Sequence, residues 1–284
     1  MKKNNIGHYI ELSRILKPTG FMLLWIPCLW GLALQDLSLY RFLSESFIYF
    51  IGAVSLRTFG CIVNDIFDKD FDKNVERTKN RPLASYALTV KQAFMFGLVS
   101  LIPGICVFLY LNFESKLIAL LGFFISIIYP LFKRFTHFPQ LILGFAFNIG
   151  VVISAFDRAN LSTIIWLYIA GVFWTLAYDT IYAFQDEKDD AIIGVKSTAR
   201  YFKNYPKITI SLFYFMMLTS FFTAFYNGAD FFKIILLLLI MYAYLFIQIK
   251  KWTVQSTKSC HIFFKQNVLI GLILTIIIFM LARS

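Results

Sequence analysis

Nine long apolar runs follow one another along the chain, at about residues 20–35, 46–63, 92–111, 117–132, 139–156, 162–184, 207–226, 231–249 and 262–282. None alternates strictly between apolar and polar positions. A bilayer's hydrocarbon core takes about 20 apolar residues per helical crossing. With no water there to satisfy free backbone groups, runs of this length predict helices and argue against a strand barrel. The pattern therefore predicts an all-α, polytopic membrane bundle of about nine transmembrane helices. No linker, charge block or low-complexity tract separates the runs, so residues 1–284 read as a single integral membrane domain.

Composition agrees: the 284 residues are 59% hydrophobic and 15% charged, whereas soluble domains carry about a quarter charged residues. The opening MKKNNIGHYIELSRILKP is polar and has no signal-peptide pattern, so the first run reads as a permanent span. The formal net charge of +11 could suggest nucleic acid, but its placement excludes that partner. Of the 27 Lys and Arg, 21 collect on the N-terminus and on the connections after runs two, four, six and eight. Five fall on the other side (Arg41, Lys116, Arg158, Lys233, Arg283), and Arg57 is left inside run two. The positive-inside rule then puts the N-terminus in the cytoplasm and the C-terminus across the membrane. The lack of a transit-peptide pattern and the Lys, Phe and Ile-rich composition point to a bacterial inner (cytoplasmic) membrane over a mitochondrial one. On the outer side the connections QDLSLYRFLSE, NFESK, DRANLS and NGADFFK are short; the longer polar segments, 64–91 and 185–207, are cytoplasmic.

Two stretches break the apolar rule. NDIFDKDFDKNVERTKNRP (64–82) packs four Asp, one Glu and five basic residues into nineteen positions, and YDTIYAFQDEKDD (178–190) repeats the theme. Each ends an apolar run and is followed by a basic stretch, a weak internal duplication. Helical spacing puts residues three, four and seven apart on one face. Asn64, Asp68 and Asp72 then form a column with Arg57 seven residues before, and Asp179, Tyr182, Asp186 and Asp190 form a second, with Asp189 beside it. Carboxylates so placed repel unless cations compensate. Hard oxygen ligands without His or Cys favour Mg²⁺, which binds through a few carboxylates and a substrate phosphate. Lys73, Arg77, Arg81, Lys133, Arg134 and Lys196 are the nearby bases for phosphate oxygens. The residues thus point to a site for a diphosphate carried by something that lives in the bilayer.

Arg57, about two turns inside an apolar helix, should face a cavity or a partner. It is either one half of a structural ion pair with an aspartate or the group that captures a substrate carboxylate or phosphate. Cys28, Cys61, Cys106 and Cys260 are scattered without zinc-site spacing and read as packing residues. His8, His137 and His261 lack metal-ligand partners and read as interfacial or structural. Among many aromatics, Tyr129, Tyr178 and Tyr182 lie nearest the polar ends, where ring faces could stabilise an allylic cation.

N-D-x-x-D-x-x-x-D with R-T-x-x-R-P (Asn64 to Pro82) and Y-D-T-x-Y-A-x-x-D-x-x-D-D with G-x-K-S-T-A (Tyr178 to Ala199) resemble the UbiA superfamily of intramembrane prenyltransferases. The lead-in L-R-x-x-G-C-x-x-N-D (Leu56 to Asp65) and Y-P-x-x-K-R-x-T-x-x-P-Q (Tyr129 to Gln140) look most like the branch that prenylates 4-hydroxybenzoate. The likeness runs from about Arg14 to Phe202; the spans beyond agree in number and hydrophobicity. It implies nine helices around a central cavity open to the bilayer, with Mg²⁺ bridging a polyprenyl diphosphate to Asn64, Asp68, Asp72, Asp186 and Asp190. Arg77, Arg81, Lys133, Arg134 and Lys196 are implied diphosphate contacts, Tyr182 lies in the substrate site, and Arg57 is the choice for the 4-hydroxybenzoate carboxylate. The implied reaction is ionisation of the allylic diphosphate and attack by the ring ortho to its hydroxyl, giving a ubiquinone precursor. Two positions depart from the pattern: Leu16 stands where an acidic residue usually precedes K-P-x-G, and Tyr86 stands where P-L-x-S-G has glycine. The rival readings are a sister prenyltransferase with another acceptor, such as homogentisate, dihydroxynaphthoate or haem, and a cation transporter, for which carboxylates near the membrane midplane would be expected.

Overall fold

Most of the apolar runs are opened by a residue that favours a helix start. Ser38, Asn112, Asn160 and Ser256 each accept a backbone N–H of the first turn, Thr89 forms a reciprocal capping box with Gln92, and Pro139 and Pro206 each occupy a first helical position. The computed structural model describes residues 5–156, 158–226 and 231–283. Its helices are α1 (Asn5–Ser13), α2 (Thr19–Ala33), α3 (Leu39–Phe67), α4 (Lys69–Asp72), α5 (Val90–Tyr110), α6 (Phe113–Phe132), α7 (Pro139–Ala155), α8 (Leu161–Ala183), α9 (Glu187–Ile193), α10 (Thr198–Tyr201), α11 (Pro206–Phe225), α12 (Phe231–Lys251) and α13 (Thr257–Leu281). Lys2, Lys3, Asp157 and the 227–230 part of the outer NGADFFK connection lie outside the described residues.

Among the described residues seven helices are long and apolar enough to cross a membrane: α3, α5, α6, α8, α11, α12 and α13. The shorter apolar helices α2 and α7 complete the nine expected runs. At 1.5 Å per residue these two span only about 22 and 25 Å, less than the bilayer core, and both are largely buried in the bundle. Helix α3 begins earlier than the hydropathy indicated, at Leu39 instead of about residue 46, so the first outer connection is a few residues long and Arg41 lies in the first turn of α3. The cap made by Ser38 decides that start, which a hydropathy window does not register.

Helix α2 packs against α3, α7 and α13, and α8 against α7, α11 and α13, which places α2, α7, α8 and α13 at the centre. Trp30 of α2 stacks on Trp174 of α8 at 5.2 Å between centroids. Asn267 of α13 accepts hydrogen bonds from Trp174 Nε1 (2.9 Å) and Tyr214 OH (2.8 Å), so buried polar atoms on three helices satisfy one another. Gly31 permits close approach of α2 and α7, since a Cβ there would lie 2.5 Å from the Val151 carbonyl oxygen. Cys28, Cys61 and Cys260 are buried free thiols, in keeping with packing roles.

Candidate active site

Helices α3 and α8 both end at the same face of the bundle, each handing over to a short polar helix, α4 and α9. The acidic columns keep helical spacing but not one continuous helix. Asp68 leaves helical geometry (φ −90°, ψ 0°) and so does Asp186 (φ −110°, ψ 4°). The rise is carried across each break by hydrogen bonds from Asp68 N to Asn64 O, from Asp72 N to Asp68 O and from Asp190 N to Asp186 O, each 2.8 Å. The bends turn the aspartates over the mouth of a cavity of about 780 Å³.

That cavity brings together most of the residues singled out in the sequence: Arg57, Asn64, Asp68, Asp72, Arg77, Arg81, Lys133, Arg134, Tyr182, Asp186, Asp190 and Lys196 all line it, whereas Lys73 does not and pairs instead with Asp70 at 2.7 Å, and Asp189 lies outside the lining. Lys133 donates to Asp68 at 2.6 Å and to Asn64 Oδ1 at 3.4 Å, and Tyr129 OH donates to the same Asn64 oxygen at 3.0 Å. Arg81 bridges Asp72 (2.8 Å) and Asp65 (3.0 Å). Arg77 forks onto both oxygens of Asp186, with Nε 2.8 Å from Oδ1, and reaches Tyr182 OH at 3.0 Å. A residue of the first motif thus grips the second, and Asp189 accepts the Glu76 backbone N–H at 3.1 Å across the same seam.

The compensators of the carboxylates are basic side chains, and among the described residues no three His, Cys, Asp or Glu side chains form a metal cluster. The donor set nonetheless suits a hard cation bound together with an anion. Its side chains offer oxygen alone, and Lys133, Arg77 and Arg81 are poised to move from carboxylate to phosphate. Among the described residues the Asp190 carboxylate has no hydrogen-bond or ion-pair partner. Burial and then the neighbouring Asp186 push its carboxyl up to about 7, which is the response of an anion short of a cation. Burial likewise raises the Asp72 carboxyl, with Arg81 opposing.

Arg57 lies deeper. Seven residues before Asn64, it sits about 10 Å further along the helix axis. Its guanidinium is 5.4 Å from the Phe147 ring centroid and abuts Gly20, where a Cβ would lie 2.6 Å from Nε. It forms no ion pair among the described residues, so the structural-pair reading is not what the structure shows. Two other bases are partly engaged elsewhere. Arg134 donates to the Phe67 carbonyl (3.4 Å) and lies over Phe71, and Lys196 donates to the Phe135 carbonyl (3.1 Å).

Sequence reasoning missed several lining residues. Asp65, 2% exposed, receives two bonds from Arg14 Nη2 (2.9 and 2.6 Å). Arg14, not position 16, therefore supplies the polar contact near the first helix, and Leu16 is an exposed part of the rim. The adjacency of Asp65 to Asn64 and of Arg14 to Lys17-Pro18 was the available signal. His261 and Lys265 of α13 also line the cavity with Lys17; His261 is thus a rim residue and not merely interfacial. Phe264, between them, packs on Tyr182 at 4.6 Å.

The sequence profile of the UbiA prenyltransferase family matches residues 24–277. The chain belongs to the UbiA prenyltransferase family. A Drosophila pseudoobscura pseudoobscura relative, named mitochondrial 4-hydroxybenzoate polyprenyltransferase, is 39% identical over 270 residues, covering 94% of this chain and 68% of that protein. A Dictyostelium discoideum family member of the same name is 39% identical over 224 residues, 77% of this chain and 48% of its own length. The chain thus spans between about half and two thirds of these two relatives. Within the family, the solved structure of a UbiA homolog from Archaeoglobus fulgidus bound to DMAPP and Mg²⁺ superposes with a TM-score of 0.72 at 16% identity, covering 96% of this chain and 98% of that one. The multi-pass membrane fold is therefore that of UbiA proteins.

Proposed function

We propose that this membrane prenyltransferase moves a polyprenyl group from an isoprenoid diphosphate to the ring of 4-hydroxybenzoate, ortho to the hydroxyl, releasing diphosphate in a step of ubiquinone biosynthesis. The observation that carries the reading is one cavity with two aspartate-bearing helix ends and five bases (Arg77, Arg81, Lys133, Arg134 and Lys196) at its mouth and Arg57 in its depth. Relatives at 39% identity carrying that activity in their names support the choice of acceptor.

Asn64, Asp68 and Asp72 would hold Mg²⁺ from one side and Asp186 and Asp190 from the other. Bound with the diphosphate, the ion would neutralise charge developing on the leaving group. Lys133, Arg77 and Arg81, already gathered at that end, donate to phosphate oxygens in place of their present carboxylate partners; Arg134 and Lys196 extend the basic lip. Such preplaced charge acts most strongly where water is excluded. Tyr129, Tyr182 and Phe264 present ring faces to the path of the allylic carbon and keep water from it. Arg57 pairs with the acceptor carboxylate, which orients the ring with its hydroxyl towards the mouth. The reading places the site on the Lys and Arg-rich side of an inner membrane, bacterial cytoplasmic by preference.

The test is product structure. Purified protein in detergent is given geranyl diphosphate with 4-hydroxybenzoate, homogentisate or dihydroxynaphthoate, and the products are resolved by mass and NMR. A 3-geranyl-4-hydroxybenzoate product is expected; prenylation of another acceptor alone would overturn the choice of 4-hydroxybenzoate.

A further inference from the structure

The aspartate that the metal-diphosphate reading leaves without a task is Asp179. It lies on α8 seven residues before Asp186 and three before Tyr182, on the stripe that faces the cavity, and it lines that cavity. It sits four residues inside the end of the helix, about 6 Å deeper than the end itself. Asp65, Asp68, Asp72 and Asp186 each hold a basic side chain and Asp189 holds a backbone N–H; Asp179 has no hydrogen-bond or ion-pair partner among the described residues. Arg57 at the deep end and Lys133 at the mouth line the same cavity. Between those two ends an aromatic acid anchored by Arg57 has to meet the allylic carbon held near Lys133. An unpaired carboxylate inside an apolar bundle is costly and needs a reason.

We propose that Asp179 is the general base that removes the ring proton after carbon–carbon bond formation. This rests on the acceptor reading given above. The allylic C–O bond breaks and its electron pair leaves with the diphosphate. A ring π pair then forms the bond from C3 of 4-hydroxybenzoate to the prenyl carbon. The C3–H bond breaks, its electron pair restores the aromatic ring, and the proton passes to a carboxylate oxygen of Asp179, which later gives it to water. No oxidant or further reactant is needed. Neither Arg57 nor Lys133 is bonded to it, so its oxygen lone pairs remain available to accept the proton.

The experiment compares 4-hydroxybenzoate with its 3,5-dideuterated form in the wild-type protein, Asp179→Asn and Asp179→Glu, at saturating geranyl diphosphate and Mg²⁺. In the wild type, proton loss is fast and ring deuteration leaves kcat unchanged. In Asp179→Asn, kcat is expected to fall by roughly 10²-fold or more, with a normal primary isotope effect on the residual rate and little change in KM for geranyl diphosphate. Asp179→Glu, which keeps a carboxylate, is expected to recover part of the rate. A wild-type kcat in Asp179→Asn, or a loss of rate without an isotope effect, would overturn the assignment. If Asp179→Asn does not fold, an Asp179→Glu variant as slow as uncatalysed background, though folded, would overturn it as well. Absence of turnover in the wild type with this acceptor would sink the acceptor reading itself and the base with it, a result separate from the others.

Discussion

Arg57 shows how much one residue can be asked to decide. Arginine in an apolar helix is costly unless it meets an anion or a cavity, and here it meets the cavity and the Phe147 ring but, among the described residues, no carboxylate at ion-pair distance. Replacing it by Ala is expected to raise KM for 4-hydroxybenzoate about 10²-fold, the loss of one charge-assisted pair worth about 2–3 kcal/mol, while KM for geranyl diphosphate stays near its original value. Steady-state kinetics with each substrate varied in turn checks this; equal effects on both would place Arg57 at the diphosphate instead. Asp190 carries a pH signature. Burial and Asp186 hold its carboxyl up to about 7, so in the metal-free protein it keeps a proton that the unfolded chain has already lost, and its contribution to stability declines as pH rises from the ordinary carboxylate range to about 7. Metal needs the deprotonated form. The Mg²⁺ concentration for half-maximal activity is therefore expected to rise as pH is lowered from 8 to 6 and to lose that dependence in Asp190→Asn.

The elements that carry the site owe their precision to contacts far apart in sequence. Arg14, at the end of α1, adopts a left-handed backbone (φ 58°) and from there donates both bonds to Asp65 in the last turns of α3, while Arg81 ties Asp65 to Asp72 of α4. Removing the shared carboxylate would leave two cations facing each other in a buried place. Asp65→Ala is expected to destabilise the protein by about 3 kcal/mol, read as a lower melting temperature in detergent, whereas a change at exposed Asp70 is expected to leave it unaltered. The loop after α4 holds the other departure. Tyr86 also sits at φ 58°, the conformation that glycine adopts freely and that costs an L-residue about 1–2 kcal/mol. Its hydroxyl and ring engage Lys73, with Nζ 2.6 Å from the hydroxyl. Truncation removes those contacts equally in Tyr86→Ala and Tyr86→Gly, so the glycine variant is expected to be the more stable by about 1 kcal/mol, the reverse of their order in a helix. Equal melting temperatures would show that the backbone relaxes when the ring is lost.

At the scale of the whole molecule, the nine apolar runs and the meeting of the two aspartate columns were legible in the sequence. Each rests on local periodicity that survives folding. What periodicity does not encode is which spans touch. The grip of Arg77 on Asp186, the bends at Asp68 and Asp186, and the rim supplied by His261 and Lys265 of α13 join segments from about 70 to more than 180 residues apart in the chain. Hydropathy sees α13 only as another apolar run, and helical spacing carries a column straight on through a residue that the fold bends.

The central claim is that the cavity joining α3, α4, α8 and α9 is a metal-dependent site for aromatic prenyl transfer. The most direct measurement is the transfer of ring label from radiolabelled 4-hydroxybenzoate into the organic phase by purified protein with geranyl diphosphate. It is made with Mg²⁺, with Mg²⁺ removed by chelator, and with Asp68→Ala and Asp186→Ala proteins shown to be folded. Transfer that needs Mg²⁺ and is lost in both variants is the predicted result. Transfer at the wild-type rate in both variants, or without a divalent cation, would contradict it.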